Sequence, residues 1–592
     1  AVKTDQVTGA CVPQLTGNKT TRIAFSCINP VSCLNNEQLT LNNLAAKANN
    51  SGATITYNTV TLNFNSSGVA SIPLRYSDVG QVQVHAQVDL PGSTNDPAVT
   101  LAGSSNPFIV KPYTLKVTAV QAASPLKNNP GSTNSGEGFI PAGERFNATV
   151  QSFNAAGSIT PNFGNETSTS ERNKIQLQMG CPERDDENDA ACTTRKPDYP
   201  TGGVAGNLLI GASHTATTAG GIFSMVWDEV GSFRLEPNLS GTGYLGAGAM
   251  TKITPSGIIG RFYPKKFKFT GSSIVNSCGA FSYMEHPKIG IAFTVDALNV
   301  DNKIVKNYDN KTLNFLTANI NYVAKDLNAV LDGSADVSPR FSASTTVEWN
   351  TGTLTFNDPA AMFKRIRNLS GRAVLEASSK NKYQLGVKLV AGDPVDQDED
   401  MRSDKVGSCT SDCNAHSLGR FDDLRFGRLR LDSASGPGSA DLPVNFVTEY
   451  WTGNFWAKNI DDSCTAISRN NILYGAAATP IVTNQNLNVS LNGGVTTGVY
   501  GSINATAVNF IAGDARHKFT APGAAVTGSF PVMVNLASYP WLTSDWDQVN
   551  NIPTQDQCNP PAATELDCSL RATFVFGSYR GHDRVIYWRE RF

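Results

Sequence analysis

Two stretches of this chain lie over each other residue for residue, without a gap. Phe146 to Asn165 reads FNATVQSFNAAGSITPNFGN, and Ile291 to Asn310 reads IAFTVDALNVDNKIVKNYDN. Thr-Val, Asn, Ile, Asn and a final Asn recur in register, Phe163 answers Tyr308, and Phe153 answers Leu298. Each copy alternates with period 2, turns at Ala155-Ala156-Gly157 or Val300-Asp301-Asn302, and runs on to Asn-aromatic-Gly/Asp. That pattern predicts a half-buried β-hairpin. A strand with one wet face must bury the other against a second sheet, so a hairpin repeated one small domain apart predicts tandem sandwiches.

A second pattern links the first two of these units. Leu74-Arg75-Tyr76-Ser77-Asp78-Val79-Gly80 and the run ending Trp227-Asp228-Glu229-Val230-Gly231 share aromatic, polar, acid, Val, Gly, followed by a strand. The chain therefore reads as a string of related β units. With 592 residues, length favours several domains. Proline-flanked β runs at Asn106–Pro112 and Gly260–Phe269 mark joints. The expected division is 1–110, 111–259, 260–425 and 426–592, each an immunoglobulin-like β-sandwich or, for the last, a β domain. The fold class expected is all-β, with disulfide-stapled loops. One short helix is expected at Asp358–Arg365, with Asp358 as cap and Pro359 at the first position.

Only 17% of residues are charged and the net charge is −2, so nothing proposes nucleic acid or an anionic membrane as partner. No apolar run reaches transmembrane length and no signal peptide opens the chain, which is read as processed or trimmed before Ala1. Eleven cysteines sit largely in close pairs: Cys27 and Cys33, Cys181 and Cys192, Cys409 and Cys413, Cys558 and Cys568. These irregular spacings suit local disulfides better than zinc knuckles and point to an oxidising, exported location. Cys278 with Cys464 is the long-range pair expected, which leaves Cys11 free or intermolecular.

No nucleophile elbow, zinc helix, phosphate loop or dinucleotide turn occurs, and the chain is read as not an enzyme. A carboxylate pair of the glycosidase kind finds no large scaffold here. Calcium is the one cofactor raised. Asp396, Asp398 and Asp400 alternate as in a calcium loop, without its sixth-position Gly or twelfth-position Glu. Asp185 to Asp189 and the Asp545-Trp546-Asp547 segment are further acidic loops. His85, in an alternating strand, is read as an ordinary strand residue. Trp451, Phe455, Trp456 and Trp541 are the aromatics proposed to face a ligand such as a glycan; their bland alternative is core packing.

Six segments in order resemble the C-terminal module of MshQ-type proteins, encoded with the mannose-sensitive haemagglutinin (MSHA) type IV pilus machinery of Gram-negative bacteria. They are Gly260-Arg261-Phe262-Tyr263-Pro264, Phe281-Ser282-Tyr283-Met284, Gly427-Arg428-Leu429-Arg430-Leu431, Glu449-Tyr450-Trp451-Thr452-Gly453, Asn459-Ile460-Asp461-Asp462-Ser463-Cys464-Thr465, and the ending from Arg571 through Tyr587-Trp588-Arg589-Glu590. The resemblance covers 260–592 and reaches upstream to Ala142-Gly143-Glu144 and Tyr244 to Gly248. It implies a secreted or surface-attached protein of pili and adhesion, with pilus or cell-surface proteins as partners and no catalytic residues to carry over. Members of that family often carry a lectin-like domain upstream, which these residues are not expected to supply. Gln548 to Asn551 also replaces the Gly/Asp-rich run that follows Asp545-Trp546-Asp547 there. Two alternatives stand beside this reading: a filament subunit self-associating by strand addition or through Cys11, and a carbohydrate-binding surface protein.

Overall fold

The computed structural model describes the chain apart from residues 1, 6, 35–38, 42, 93–96, 168–169, 183–193, 329–335, 368–372, 402–414, 475–478, 481–486, 500–505, 545–568, 578–585 and 589–592. Among the described residues, the regular elements are β-strands and short 3-10 turns. The fold is all-β and built of tandem Ig-like units, as the alternation predicts.

Among the described residues, four large buried cores follow one another along the chain. In the first, Gly17–Asn29 pairs with Gly80–Leu90, and Val99–Ser104 forms the far edge. A small sheet of Leu39–Leu41, Leu44–Ala45 and Leu74–Tyr76 lies against it, burying Phe25, Leu39, Val60 and Val82. The second has the order Thr114–Ala122, Arg145–Phe153, Gly220–Trp227, Leu208–Thr217, faced by Ile175–Met179 paired with Leu235–Leu239. Phe139, Phe146, Trp227, Phe233 and Phe262 meet there at ring-centroid distances of 4.8 to 6.4 Å, mostly edge to face. Aromatic pairs favour that geometry because ring edges are positive and ring faces negative.

The third unit repeats the plan. Lys266–Val275, Ile289–Leu298 and Thr353–Phe363 stand side by side, faced by Asn319–Asp326, Tyr383–Val390 and His416–Arg420. In the fourth, Ile472–Tyr474, Gly528–Asn535, Ser569–Gly577 and Ser433–Pro437 form one sheet, opposed by Leu442–Val444, His517–Phe519, Gly494–Val499 and Leu487–Leu491.

Three local expectations need correction. Of the helix expected at Asp358–Arg365, the residues up to Phe363 belong to the Thr353–Phe363 strand and the last two follow it without regular structure. Its ladder with Ile289–Leu298 shifts register between Ile291↔Asp358 and Ile289↔Ala361, a bulge that accommodates Pro359. Asp358 caps this bulge instead of a helix, accepting the Ala360 N–H at 2.8 Å and the Ser344 N–H at 2.6 Å. The repeated hairpin is a hairpin only at its turn: beyond the bridges Phe153↔Ile159 and Leu298↔Ile304 the outgoing arm forms no strand. Its backbone N–H groups have another partner, described below. Finally, Gly260–Phe262 does not open the third unit, because Ile259–Phe262 pairs with Gly231–Phe233 and Phe262 lies in the second core.

The linker Phe108–Val110 pairs with Gly80–Leu90. Phe108 and Val110 pack on the first core and Ile109 on the second. Strand alternation thus serves both units at once.

Candidate functional site

The two sequence repeats are two halves of one joint. At the first joint, the Asp78 carboxylate accepts the N–H of its own neighbour Val79 at 2.8 Å and that of Asn162, in the next unit, at 3.1 Å. Asn162 answers with its amide, donating to the Val79 carbonyl at 3.2 Å and the Tyr76 hydroxyl at 3.1 Å. The second joint copies this arrangement. Glu229 accepts the N–H of Val230 at 3.2 Å, of Asn307 at 3.1 Å and of Lys306 at 2.7 Å, and the Asn307 amide donates to the Val230 carbonyl at 3.2 Å.

Every position of the acid-Val-Gly run has a physical reason. The acid replaces the ladder partner missing from the outgoing arm; a buried N–H without an acceptor costs roughly 1–3 kcal/mol. The valine is a plug: Val79 is part of the second core and Val230 of the third. The glycine has positive φ, 141° at Gly80 and 119° at Gly231, and a Cβ there would meet the carbonyl oxygen of Asn29 or Tyr199 at 2.9 or 2.1 Å. Asn29 and Tyr199 also reach into the following unit, accepting the Thr167 N–H at 3.0 Å and the Leu316 N–H at 2.7 Å respectively. Burial pushes the Glu229 carboxyl up to about 7, against the pull of its three N–H donors.

The third joint is built from cations. Asp423 accepts from Arg425 Nε at 2.9 Å, and Arg425 donates onward to the Asn459 side-chain oxygen and, at 2.7 Å, to Asp461. The Arg425 guanidinium lies between the rings of Phe281 and Tyr450, 4.4 and 4.5 Å from their centroids. Fully buried Arg365 donates to the carbonyls of Gly427, Trp541 and Thr543. The His286 ring lies tilted against that of Trp541, 4.2 Å between centroids, and burial lowers its imidazole to about 4. The Cys278–Cys464 disulfide crosses the same joint.

Beside this joint stands an aromatic hairpin, Phe446–Trp451 with Trp456–Lys458, in which Trp451 and Trp456 face each other across the strands. Their rings meet edge to face at 5.5 Å. Thr452 holds the turn, its N–H and hydroxyl both donating to the Phe455 carbonyl at 3.0 and 2.7 Å. Phe455 at the tip is 62% exposed, and both tryptophans are partly buried. Beneath them Arg428 lies 4.1 Å over the Trp456 ring and pairs at 2.6 Å with Glu449; the two are 3% and 2% exposed. Arg430 binds the second oxygen of Glu449. The hairpin base is locked while its tip is free.

The remaining expected positions separate cleanly. Trp541 is partly buried like Trp451 and Trp456, and it packs between His286 and the fourth core with its carbonyl held by Arg365. Cys27–Cys33 and Cys278–Cys464 are bonded as expected, Cys181 is disulfide-bonded, and Cys11 is free and exposed. Cys192, Cys409, Cys413, Cys558 and Cys568 lie outside the described residues, as do Asp185–Asp189, Asp545 and Asp547.

Asp396, Asp398 and Asp400 are exposed on an extended segment. Asp396 lies 3.5 Å from Lys265, and Asp400 accepts the Ser417 N–H at 2.5 Å. Among the described residues the one group of potential metal ligands close enough to share an ion is Cys278, Asp462 and Cys464. Its two sulfurs are bonded to each other, and Asp462 accepts from Tyr283, Cys464 and Thr465. His85 sits between the Ser26 and Ser104 hydroxyls at 2.8 and 2.7 Å, an ordinary satisfied strand residue. Among the described residues no helix is long and apolar enough to cross a membrane.

Sequence reading passed over Asp78, Glu229, Asn162 and Asn307, although both shared patterns contain them. The signal was the position of the acid and the Asn in each copy; what was missing was that the two patterns touch.

Models of four domains of one family match the chain in order. They are DUF6701, first Ig-like domain, over 1–104, the second domain over 111–222, the third over 229–416 and the fourth over 425–591. No curated protein matches the chain. Among solved structures, the Escherichia coli adhesin FdeC is similar at 10% identity over 71% of this chain and 91% of its own, with a TM-score of 0.29. Invasin, a bacterial integrin-binding protein, is similar at 10% identity over 90% of this chain and 72% of its own, also with a TM-score of 0.29. Neither likeness bears on what this chain binds.

Proposed function

The chain belongs to the DUF6701 family, and from that premise we propose that it is a non-enzymatic extracellular protein of a Gram-negative outer surface, working in adhesion or in the assembly of type IV pili. The resemblance of 260–592 to MshQ-type proteins supports the pilus association. The disulfides Cys27–Cys33 and Cys278–Cys464 support an exported location.

One observation carries the choice of contact surface. Phe455 is exposed at the tip of a hairpin whose base is fixed by the buried Arg428–Glu449 pair. Keeping large apolar rings in water is unfavourable, and a rigid mount lowers the ordering cost of a later contact. The test is binding of the labelled full chain to piliated and pilus-deficient cells, for the natural protein and for a Trp451→Ser, Phe455→Ser double variant. Binding that depends on pili and falls at least tenfold in a variant with an unchanged melting temperature is the expected result. Equal binding by the variant would remove the hairpin from the contact, and equal binding to bare cells would remove the pilus.

A further inference from the structure

The Cys278–Cys464 disulfide joins residues 186 positions apart, whereas Cys27–Cys33 spans a separation of 6. Its two ends stand at particular places in the chain. Cys278 follows the first strand of the third unit, Lys266–Val275, and Cys464 comes just before Ala466–Ser468 of the fourth. Asp462 fastens both sides, accepting the Tyr283 hydroxyl at 2.9 Å and the N–H groups of Cys464 and Thr465 at 3.1 and 2.9 Å. Between the two cysteines lie all later described strands of the third unit, from Ile289–Leu298 to His416–Arg420, and the hairpin that carries Phe455.

A pulled chain transmits tension along its shortest covalent path. From the N-terminal side that path runs through Lys266–Val275, crosses the two sulfurs and continues from Cys464, so the enclosed residues lie off it. Lys266–Val275 is a strand, already near full extension at about 3.3 Å per residue, and lengthwise tension adds little to it. The rest of the third unit rides as a passenger on the ladder from Lys266↔Leu298 to Val275↔Gly290. A load entering at the hairpin tip takes the same exit. Phe455 is nine residues before Cys464. From there the path leads either across the bridge to the N-terminal side or onward through the fourth unit. The third unit is bypassed whichever end is held. At the first two joints, among the described residues, hydrogen bonds and a buried valine join the units, and the connecting chain stays in the path.

We propose that Cys278–Cys464 is a tension bypass, keeping the third unit folded while load passes from the second unit to the fourth. The adhesion reading supplies the source of such a load. The routing follows from connectivity and holds for any pull on the two ends. The bridge closes where the chain has just entered the third unit and again after it has left, so one covalent link takes the whole remainder of that unit out of the path.

The test is to stretch the oxidised full chain between handles on its two ends in an optical trap, beside a Cys278→Ser, Cys464→Ser double variant. The natural chain is expected to stop short of the variant's full length by roughly 600 Å, the 186 residues at about 3.3 Å each that the bridge withholds. If the variant folds poorly, the natural chain is held stretched while reductant is added, and it is expected to lengthen by the same amount. Opening Cys27–Cys33 adds only roughly 20 Å, so the two bridges are told apart. Equal stretched lengths for the two chains, or no such lengthening on reduction, would overturn the proposal. So would a variant whose third unit stays closed at the tension that opens the first two. No cell or pilus enters this measurement, so its failure leaves the adhesion reading standing, and loss of that reading leaves the routing standing.

Discussion

The first two joints and the third solve the same problem with opposite charges. At the first two, a single carboxylate accepts the backbone donors of a turn, and a valine plugs the next core. At the third, Arg365 and Arg425 serve carbonyls, rings and carboxylates, and a disulfide ties the two sides. Asn459 takes the place that Asn162 and Asn307 hold, but its partners are a guanidinium and the Tyr283 hydroxyl. The difference is instructive. Backbone donors fit any carboxylate of the right reach, so the first design repeats easily, whereas the third needs many matched side chains and occurs once among the described joints.

The largest expected effect comes from the buried ion pair that supports the hairpin beside the third joint. Glu449→Ala leaves Arg428 buried without its carboxylate, and breaking such a pair costs roughly 3–5 kcal/mol. Denaturant unfolding followed by tryptophan fluorescence reads it; a loss under about 1 kcal/mol would mean that the pair behaves as if solvent-exposed. Next comes Glu229→Ala, which strands three N–H groups and should cost about 3 kcal/mol. Asp78→Ala, with two such donors, should cost about 2 kcal/mol. If the two variants lose equally, reach and donor number do not set the strength of the latch.

The smallest effect concerns acidity, and here the joints should diverge in sign. The Glu229 carboxyl rises from its ordinary 4.5 to about 7. In that window the folded state holds more protons than the unfolded, so this contribution falls as pH rises through it. His286 drops from 6.5 to about 4, so its contribution is present above 6.5 and lost as pH falls toward 4. Hydrogen exchange should therefore show Lys306–Tyr308 better protected at pH 5 than at pH 7, and Tyr283–His286 the reverse. His286→Phe should flatten the second response; parallel responses at both sites would break the contrast.

Much of this was legible because period and punctuation are local. The alternation in Thr149 to Phe153 and Thr294 to Leu298 predicted the strands, and the spacing of Cys27 and Cys33 predicted their bridge. Asp358-Pro359 misled because a capped proline is equally at home in a bulge, and only the partner strand decides. Trp451 and Trp541 look alike in sequence and are both partly buried, but one packs on its own hairpin partner and the other against His286, a neighbour 255 positions away. The latch was invisible for the same reason: Asp78 and Asn162 are 84 residues apart, and their pairing exists only once two units have docked.

The plug at Val79 and Val230 has a consequence for how this chain can be rearranged. The second and third cores are each completed by a valine of the preceding unit, so a segment excised at either apparent boundary carries an empty socket. A transplanted unit needs a neighbour whose acid has the right reach, Asp for one socket and Glu, longer by one methylene, for the next. The joints thus act as keyed connectors, and the order of the units is written into the protein as firmly as the fold of each.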